Sequence, residues 1–493
     1  MARILFVVNV PDRWPIRVPG VEVVSARQYL TEERFSTLRH CRVFNLCRSY
    51  RYQSIGYYVS LLAEARGHKP MPRISTLQDL RFQSISRTIS SDLDDIIQKS
   101  LHRLQGKTFT LSIYFSKNLS PQYDRLSRQI FNLFPAPLLR VQFSKNEDDQ
   151  WQLHSLSAIS ANDIPESHMG AVVQFASDYF SRHRAHPTRK TPPPYSLAIL
   201  ADKSDATPPS DAKALQRFAD AAERLDFEVE FIDKDDYGRI AEFDALFIRA
   251  TTAVDNYTFR FARKAEAEGL VVIDDPESIV RCTNKVFLAE LLDRHKIATP
   301  ITEILHRDNI QDVLAKLGLP IILKQPDSSF SLGVVKVETE EEYIAKVDQL
   351  LEDSDLLIAQ EFIRTDFDWR IAVLDRKPLY ACKYFMARNH WQIYNNALAG
   401  QDDHTGEFET LPIELAPTRV VQTAVKAANL IGDGLYGVDI KEVKGRSFVI
   451  EVNDNPSIDY GVEDKLLRNT LYERIIETFL RRIEARIVGR LST

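Results

Sequence analysis

Gly437-Val-Asp-Ile-Lys-Glu-Val443, a Lys444-Gly445-Arg446 turn, and Ser447-Phe-Val-Ile-Glu-Val-Asn-Asp-Asn-Pro456 decide how this chain is read. Two apolar-rich runs joined by a short polar turn predict a β-hairpin. Side chains alternate along a strand, so Glu451 and Asn453 share a face, with Asp439 on the neighbouring strand. Val438, Ile440, Val449, Ile450 and Val452 flank them, which places the acids in an apolar setting. Carboxylates close together in such a setting resist joint ionisation unless cations accompany them. Oxygen ligands of this kind, completed by phosphate oxygens, suit magnesium. The plain alternative is a hairpin whose acids face water, and the apolar flanks and the Asn-Pro ending argue against it.

A phosphate chain also needs cations and backbone donors, and upstream segments offer both. Lys285 opens a helical segment after Arg281-Cys-Thr-Asn284. Lys324 closes the strand Leu319-Pro-Ile-Ile-Leu-Lys324, which would bury its stem and direct its ammonium into a cleft. Pro326-Asp-Ser-Ser-Phe-Ser-Leu-Gly-Val-Val335 follows, a small-residue loop able to cover phosphates with its N–H groups. Leu356-Leu-Ile-Ala-Gln-Glu-Phe-Ile363 is a strand breaking into polar Arg364-Thr-Asp366, and its edge could meet a base. Each piece alone is weak, since a strand-end lysine is most often a surface lysine.

In this order, with Asp368-x-Arg370 between the last strand and the hairpin, the pieces resemble the ATP-grasp ligases and, within them, the RimK/LysX branch. The resemblance covers roughly residues 196 to 480. It implies an α/β (α+β) chain: an ATP-grasp fold of two α+β subdomains at 281–493, preceded by a small parallel-sheet domain at 196–280. Residues 1–180 resemble the extra N-terminal α/β domain carried by some RimK-like proteins. The implied activity is ADP-forming carboxylate–amine ligation through an acyl phosphate, joining an amino acid, with glutamate favoured, to a peptide, a protein tail or another amino acid. The implied cofactors are ATP and two Mg2+ ions, with Mn2+ as an alternative.

The resemblance also implies roles for residues. Lys285 and Lys324 would contact phosphates, Lys324 also lying near adenine. Ser329, Ser331 and Gly333 would belong to the covering loop. Gln360, Glu361, Phe362 and Ile363 would form the adenine hinge, with backbone contacts from Glu361 and Ile363. Asp368 would hold the ribose, and Lys383 would reach the γ-phosphate. Asp439, Glu451 and Asn453 would hold the metals, with Arg370 and Asn395 near phosphates and metals. Arg249 and Arg388 are candidate carboxylate clamps, because arginine's fork suits that task. There are departures: the covering loop has the lone Gly333, and Pro456-Ser-Ile-Asp-Tyr-Gly-Val-Glu-Asp464 is unusually acidic. The latter either selects a basic or amine-bearing partner or is a helix start enriched in acids.

The rest of the chain sets bounds. At 493 residues, with 44% hydrophobic and 27% charged side chains, it is a globular protein of several domains. A net charge of −6 gives no support to nucleic-acid or membrane binding. Four cysteines without C-x-x-C spacing point to a reducing compartment, the cytoplasm, and away from structural zinc. Arg3–Val10 is too short for a secretory signal and reads as a buried strand, and no apolar run approaches a membrane span. The seam Ser181–Pro194, rich in proline and basic residues, reads as a linker over 181–195 rather than a nucleic-acid patch. Before it, Arg42–Cys47 and Thr108–Phe115 read as strands, Ile55–Ala65 as a helix, and Leu139–Phe143 with Trp151–Leu156 as a hairpin. After it, strands and helices alternate through Ile273, the pattern of a parallel sheet. Arg48 and Arg51, just before the Ile55 helix, either bind an anion or lie in a solvated loop. His390 and His404 read as loop residues, and no Ser/Cys–His pair is evident. Homo-oligomerisation is left open. Two rival functions remain: a kinase-like phosphotransferase and a non-catalytic nucleotide-binding module.

Overall fold

The computed structural model describes residues 3–38, 41–81, 93–181, 193–205, 207–327, 333–387, 391–393 and 406–491. Ser329, Ser331, Arg388 and Asn395, together with His390, His404 and most of the linker, lie outside the described residues. The chain divides into two compact units, one of 1–197 with 226–244, the other of 198–225 with 245–493.

In the first unit Arg3–Val8 (β1), Val21–Ser25 (β2), Cys41–Asn45 (β3) and Lys69–Met71 (β4) form a parallel sheet of order β2-β1-β3-β4. Its central strands β1 and β3 are largely apolar and buried, as expected where both faces are covered. Alternation along β1 sends Leu5 and Val7 into one cluster with Val43, Val59 and Ala63. Phe6 and Val8 go into the other, with Phe44, Phe115 and Phe180. The helix Ile55–Ala65 (α1) begins at Ser54, whose hydroxyl caps Tyr57 N–H. Thr108–Tyr114 (β5), Leu138–Lys145 (β6) and Trp151–Ala158 (β7) form an antiparallel meander. Met169–Ser181 (α2) closes this part.

Tyr195–Leu200 (β8) runs from the first unit into the second, and Phe227–Ile232 (β9) belongs to the first. In the second unit Ala245–Ile248 (β10) pairs in parallel with Val271–Ile273 (β11). Two helices, Pro276–Thr283 (α3) and Lys285–Arg294 (α4), meet at Asn284, which caps the second. Two antiparallel sheets follow. Thr302–Leu305 (β12), Ile321–Lys324 (β13), Val334–Val337 (β14) and Leu357–Glu361 (β15) take the order β12-β15-β13-β14. Phe367–Leu374 (β16), Lys377–Phe385 (β17), Phe408–Leu411 (β18), Leu435–Val443 (β19) and Arg446–Asn453 (β20) take the order β18-β17-β16-β19-β20. One face of this second sheet packs Ile371, Val438, Ile440, Val449 and Val452 against Ala424, Ala427 and Ile431 of the helix Thr418–Ile431 (α5). Its other face carries the charges.

Candidate active site

The hairpin forms as read, with one refinement. Gly437 pairs with Asn453, Val438 with Val452 and Asp439 with Glu451, after which the register shifts and Ile440 pairs with Val449. This bulge leaves Ile450 unpaired, so Val449 and Val452 both reach the core while Ile450 and Glu451 both line a cavity. Bulges commonly re-aim side chains beside functional sites.

Asp439, Glu451 and Asp368 on that face each have a cation. Asp439 accepts a two-pronged contact from Arg370, Nε at 2.5 Å and Nη2 at 2.8 Å. Glu451 meets the Lys285 ammonium at 3.3 Å. Asp368 accepts from Lys441 Nζ at 2.6 Å and from Thr365 Oγ1 at 3.0 Å. Asn453 Nδ2 donates to Asp439 at 3.3 Å. A Cβ on Gly437 would meet Pro456 Cβ at 2.8 Å and Arg370 Cδ at 3.0 Å, so glycine lets Arg370 lie across the strand.

Asp439, Glu451, Asp368, Asn453, Arg370, Lys285 and Lys441 line one cavity of about 520 Å³, together with Lys324, Gln360, Glu361, Phe362 and Ile363. Ile322, Val334, Trp391 and Ile393 add apolar lining, and Phe362 meets Trp391 edge-on at 6.1 Å. Such a slot suits a flat base. The Glu361 N–H donates to Ile301 O at 2.9 Å, which removes that donor from any base-reading role.

Burial sets the electrostatics. It pushes the Asp439 carboxyl up, opposed by Arg370 and reinforced by Glu451 and Asp368. Burial brings the Lys324 ammonium down to about 8, against the pull of Glu451 and with the push of Lys285 and Lys441. Asp454, also lining the cavity, is pushed up to about 7 by burial despite a hydrogen bond from Thr252. The site therefore strains toward neutral groups, which bound counter-charges would relieve. Among the described residues no three His, Cys, Asp or Glu side chains form a self-sufficient metal cluster. Two carboxylates and an amide oxygen fit a cation whose other ligands are phosphate and water.

Three expectations meet a different geometry. Lys383 pairs with Glu409 at 2.8 Å and lies over the rings of Phe367 and Trp369. Its cross-strand partner is Trp369, one residue off from Arg370, so strand alternation puts it on the face opposite Asp439. Arg249 is fully buried; it donates to Ser210 Oγ, Asn455 Oδ1 and the carbonyls of Pro209 and Pro456, as an internal strut rather than a clamp facing the cavity. Gly333 is the turn residue just before β14, at φ 71°, its carbonyl accepting from Gln325 N–H, and it does not line the cavity.

Sequence reasoning passed over Lys441, Asp454 and Trp391. Lys441 was legible, since it stands two residues beyond Asp439 on the same strand and hence on the same face. Asp454 follows the strand end, where alternation gives no guide. Trp391 comes from a distant segment with no local signal.

Two antiparallel sheets, a cavity with a base-sized apolar slot, and a face of paired acids and cations define a nucleotide-using α+β enzyme. Residues 282–477 match the RimK-like ATP-grasp domain and residues 26–174 the RimK-like ATPgrasp N-terminal domain. The chain belongs to the RimK-like ATP-grasp family. Among curated proteins it is similar to a probable alpha-L-glutamate ligase of Vibrio vulnificus (strain YJ016), 28% identical over 48% of this chain and 77% of the relative. A probable alpha-L-glutamate ligase of Thioalkalivibrio sulfidiphilus is 29% identical over 45% of this chain and 71% of that protein. Among solved structures, a D-alanine--D-alanine ligase from Bacillus anthracis aligns at 19% identity over 59% of this chain and 99% of its own, with a TM-score of 0.47.

Proposed function

We propose that this chain, an ATP-dependent carboxylate–amine ligase, joins glutamate to a peptide, a protein tail or another amino acid, releasing ADP and phosphate. The relatives' names support glutamate. The observation that carries the reading is one cavity in which Lys285, Arg370 and Lys441 are each held by an acid, beside the buried Lys324.

A carboxylate acylates poorly because its oxygen leaves badly; its phosphorylation gives an acyl phosphate that an amine attacks. Positioning and charge neutralisation are then the enzyme's task. Gln360 to Ile363 and Trp391 hold the base, and Asp368 the ribose hydroxyls. Lys285 and Lys324 meet the phosphates, with Ser329 and Ser331 in the covering loop. Asp439, Glu451 and Asn453 hold two magnesium ions, with Mn2+ as an alternative. When bound, these ions neutralise phosphate oxygens as Lewis acids. Arg370 would exchange Asp439 for charge developing on the transferred group, with Asn395 near the phosphates and metals and Arg388 as a clamp for a substrate carboxylate. The four cysteines are free and buried, which supports action in the cytoplasm. No helix among the described residues is long and apolar enough to cross a membrane.

Incubating the protein with ATP, magnesium and pools of amino acids and peptides, followed by mass spectrometry, tests this. The expected result is a glutamate-containing amide formed in step with ADP. A phosphorylated product with no amide would overturn the ligase reading.

A further inference from the structure

The parallel sheet of the first unit changes direction at β1, with β2 on one side and β3 on the other. In open parallel sheets, ligands gather outside the strands' carboxyl ends at such a reversal. Two loops stand there, Asn9–Arg13 after β1 and Arg48–Ser54 after β3. The Asn9 side chain accepts from Arg48 N–H at 2.7 Å and ties them together. The second loop is a fixed platform. Tyr50 OH donates to Asn45 O at 2.7 Å, Ser54 Oγ to Ser49 O at 2.9 Å, and Ser54 N–H to Arg51 O at 2.8 Å. A Cβ on Gly56 would come within 2.3 Å of Ser49 O, so only glycine lets α1 approach this closely.

What the platform displays is unlike a solvated loop. The guanidinium groups of Arg48 and Arg51 are exposed and have no ion pair or hydrogen bond among the described residues. Beside them Tyr52 is 56% exposed, Ile55 47% and Tyr58 39%, with Tyr57 meeting the rings of Tyr52 and Tyr58 at 5.1 and 5.6 Å. On the β1 side Val10 is 40% exposed, Arg17 reaches the Pro11 carbonyl at 3.0 Å, and Asp12 is an exposed acid. Tyrosine and arginine are the side chains that dominate binding hot spots. Guanidinium forks match carboxylates, and flat rings supply contact area at low entropic cost.

We propose that this surface docks a peptide bearing carboxylate side chains, held by Arg48 and Arg51 across the rings of Tyr52, Tyr57 and Tyr58. The partner's class follows from charge complementarity at an apolar patch that nothing among the described residues covers. The inference stands apart from the ligase reading, because docking requires no nucleotide and no turnover.

The test is fluorescence anisotropy of a labelled oligoglutamate peptide with the full chain, without ATP. Saturable binding that weakens with added salt is expected, since exposed charges are screened. Arg48→Ala with Arg51→Ala should weaken it about tenfold, as should Tyr52→Ala with Tyr58→Ala. Arg103→Ala, an exposed arginine elsewhere on the same unit, should leave it unchanged. Thermal melts establish that the variants fold, and Arg51→Glu, on a side chain without internal partners, gives a second test should the double variants melt early. Absence of binding, equal binding by the variants, or equal binding of oligolysine would overturn the proposal. So would sedimentation showing a dimer that the tyrosine variants dissociate, because a second copy would then cover the patch. Docking without ligase activity would sink the ligase reading and leave the surface standing; ligase activity without docking would do the reverse.

Discussion

Two hairpins of similar build, β6–β7 and β19–β20, put opposite chemistry on their second faces. Each has one apolar face and one register shift, after Gln142 in the first and after Asp439 in the second. In β6–β7 the apolar face buries Val141, Phe143, Trp151 and Leu153, while Gln142, Gln152 and His154 face water. Ser155 donates to Gln142 across the strands, and water serves the rest. In β19–β20 the polar face looks into a cavity, where Asp439 is matched by Arg370 of β16, Glu451 by Lys285 of α4, and Lys441 of β19 in turn matches Asp368 of β16. Polar groups on an open face need no partner, whereas acids on a closed one must have one. A face so organised is matched to its ligands, since incoming phosphates can take the cations and incoming metals the acids.

The largest effects should come from breaking that matching. Asp439→Asn and Glu451→Gln should each lower ATP-dependent ADP release by roughly a thousandfold or more, about 4 kcal/mol of transition-state stabilisation. Turnover near the wild-type rate would remove the hairpin from the chemistry. Arg370→Ala should also destabilise the fold, by about 3–5 kcal/mol, because it leaves Asp439 buried without its partner. Urea unfolding measures this, and restoration of stability by adding Asp439→Asn would assign the loss to the uncompensated charge.

Lys324 sharpens the comparison, because it is the buried cation of the cavity that lacks an ion pair among the described residues. Its folded value, about 8, lies below the unfolded one near 10.4. Between about pH 8 and 10.5 the unfolded chain therefore holds more protons at this position, so this group makes stability rise with pH through that window. Below pH 8 both states are protonated and its slope vanishes. The expected signature is a difference: wild type gains stability relative to Lys324→Met across this window. Parallel curves for the two proteins would show that burial does not perturb this lysine.

The β19–β20 hairpin was legible because its signals are local: alternation, apolar flanks, and a Lys444-Gly445 turn whose residues take φ 49° and 72°, the positive values a tight hairpin favours. The bulge at Ile450 was not, since two Val side chains three apart reach the core only once the register slips. Lys383 shows the limit of carrying roles by order along the chain. Its place on β17 fits the family's sequence of pieces, while its face is set by pairing with β16, which sequence order does not report. Arg249 stands where ligands of a parallel sheet gather, yet Asn455 and Pro456, some two hundred residues later, occupy its guanidinium. Long-range partners of this kind leave no local trace. In the first unit the strands read at Arg42–Cys47 and Thr108–Phe115 and the helix read at Ile55–Ala65 are present to within a residue or two, because apolar runs are properties of neighbours in sequence.

Strand faces therefore give the next prediction. Lys441→Met should raise the KM for ATP more than tenfold, since it removes the ammonium that holds Asp368 within the cavity. Lys383→Met should change it less than about threefold, because that side chain sits across the sheet beside Glu409. The reverse ranking would mean that β17 turns over when substrates bind.

The smallest expected effect belongs to the open hairpin. Gln142→Ala should shift stability by less than about 0.5 kcal/mol in urea unfolding, the usual cost at an exposed strand position. Its only side-chain bond among the described residues is to Ser155, and water replaces it when it is lost. A loss rivalling that of Arg370→Ala would show that cross-strand polar pairs hold this sheet together regardless of what they face. The contrast between an open polar face and a closed, charge-matched one would then fail as an account of why the acids of β19–β20 are there.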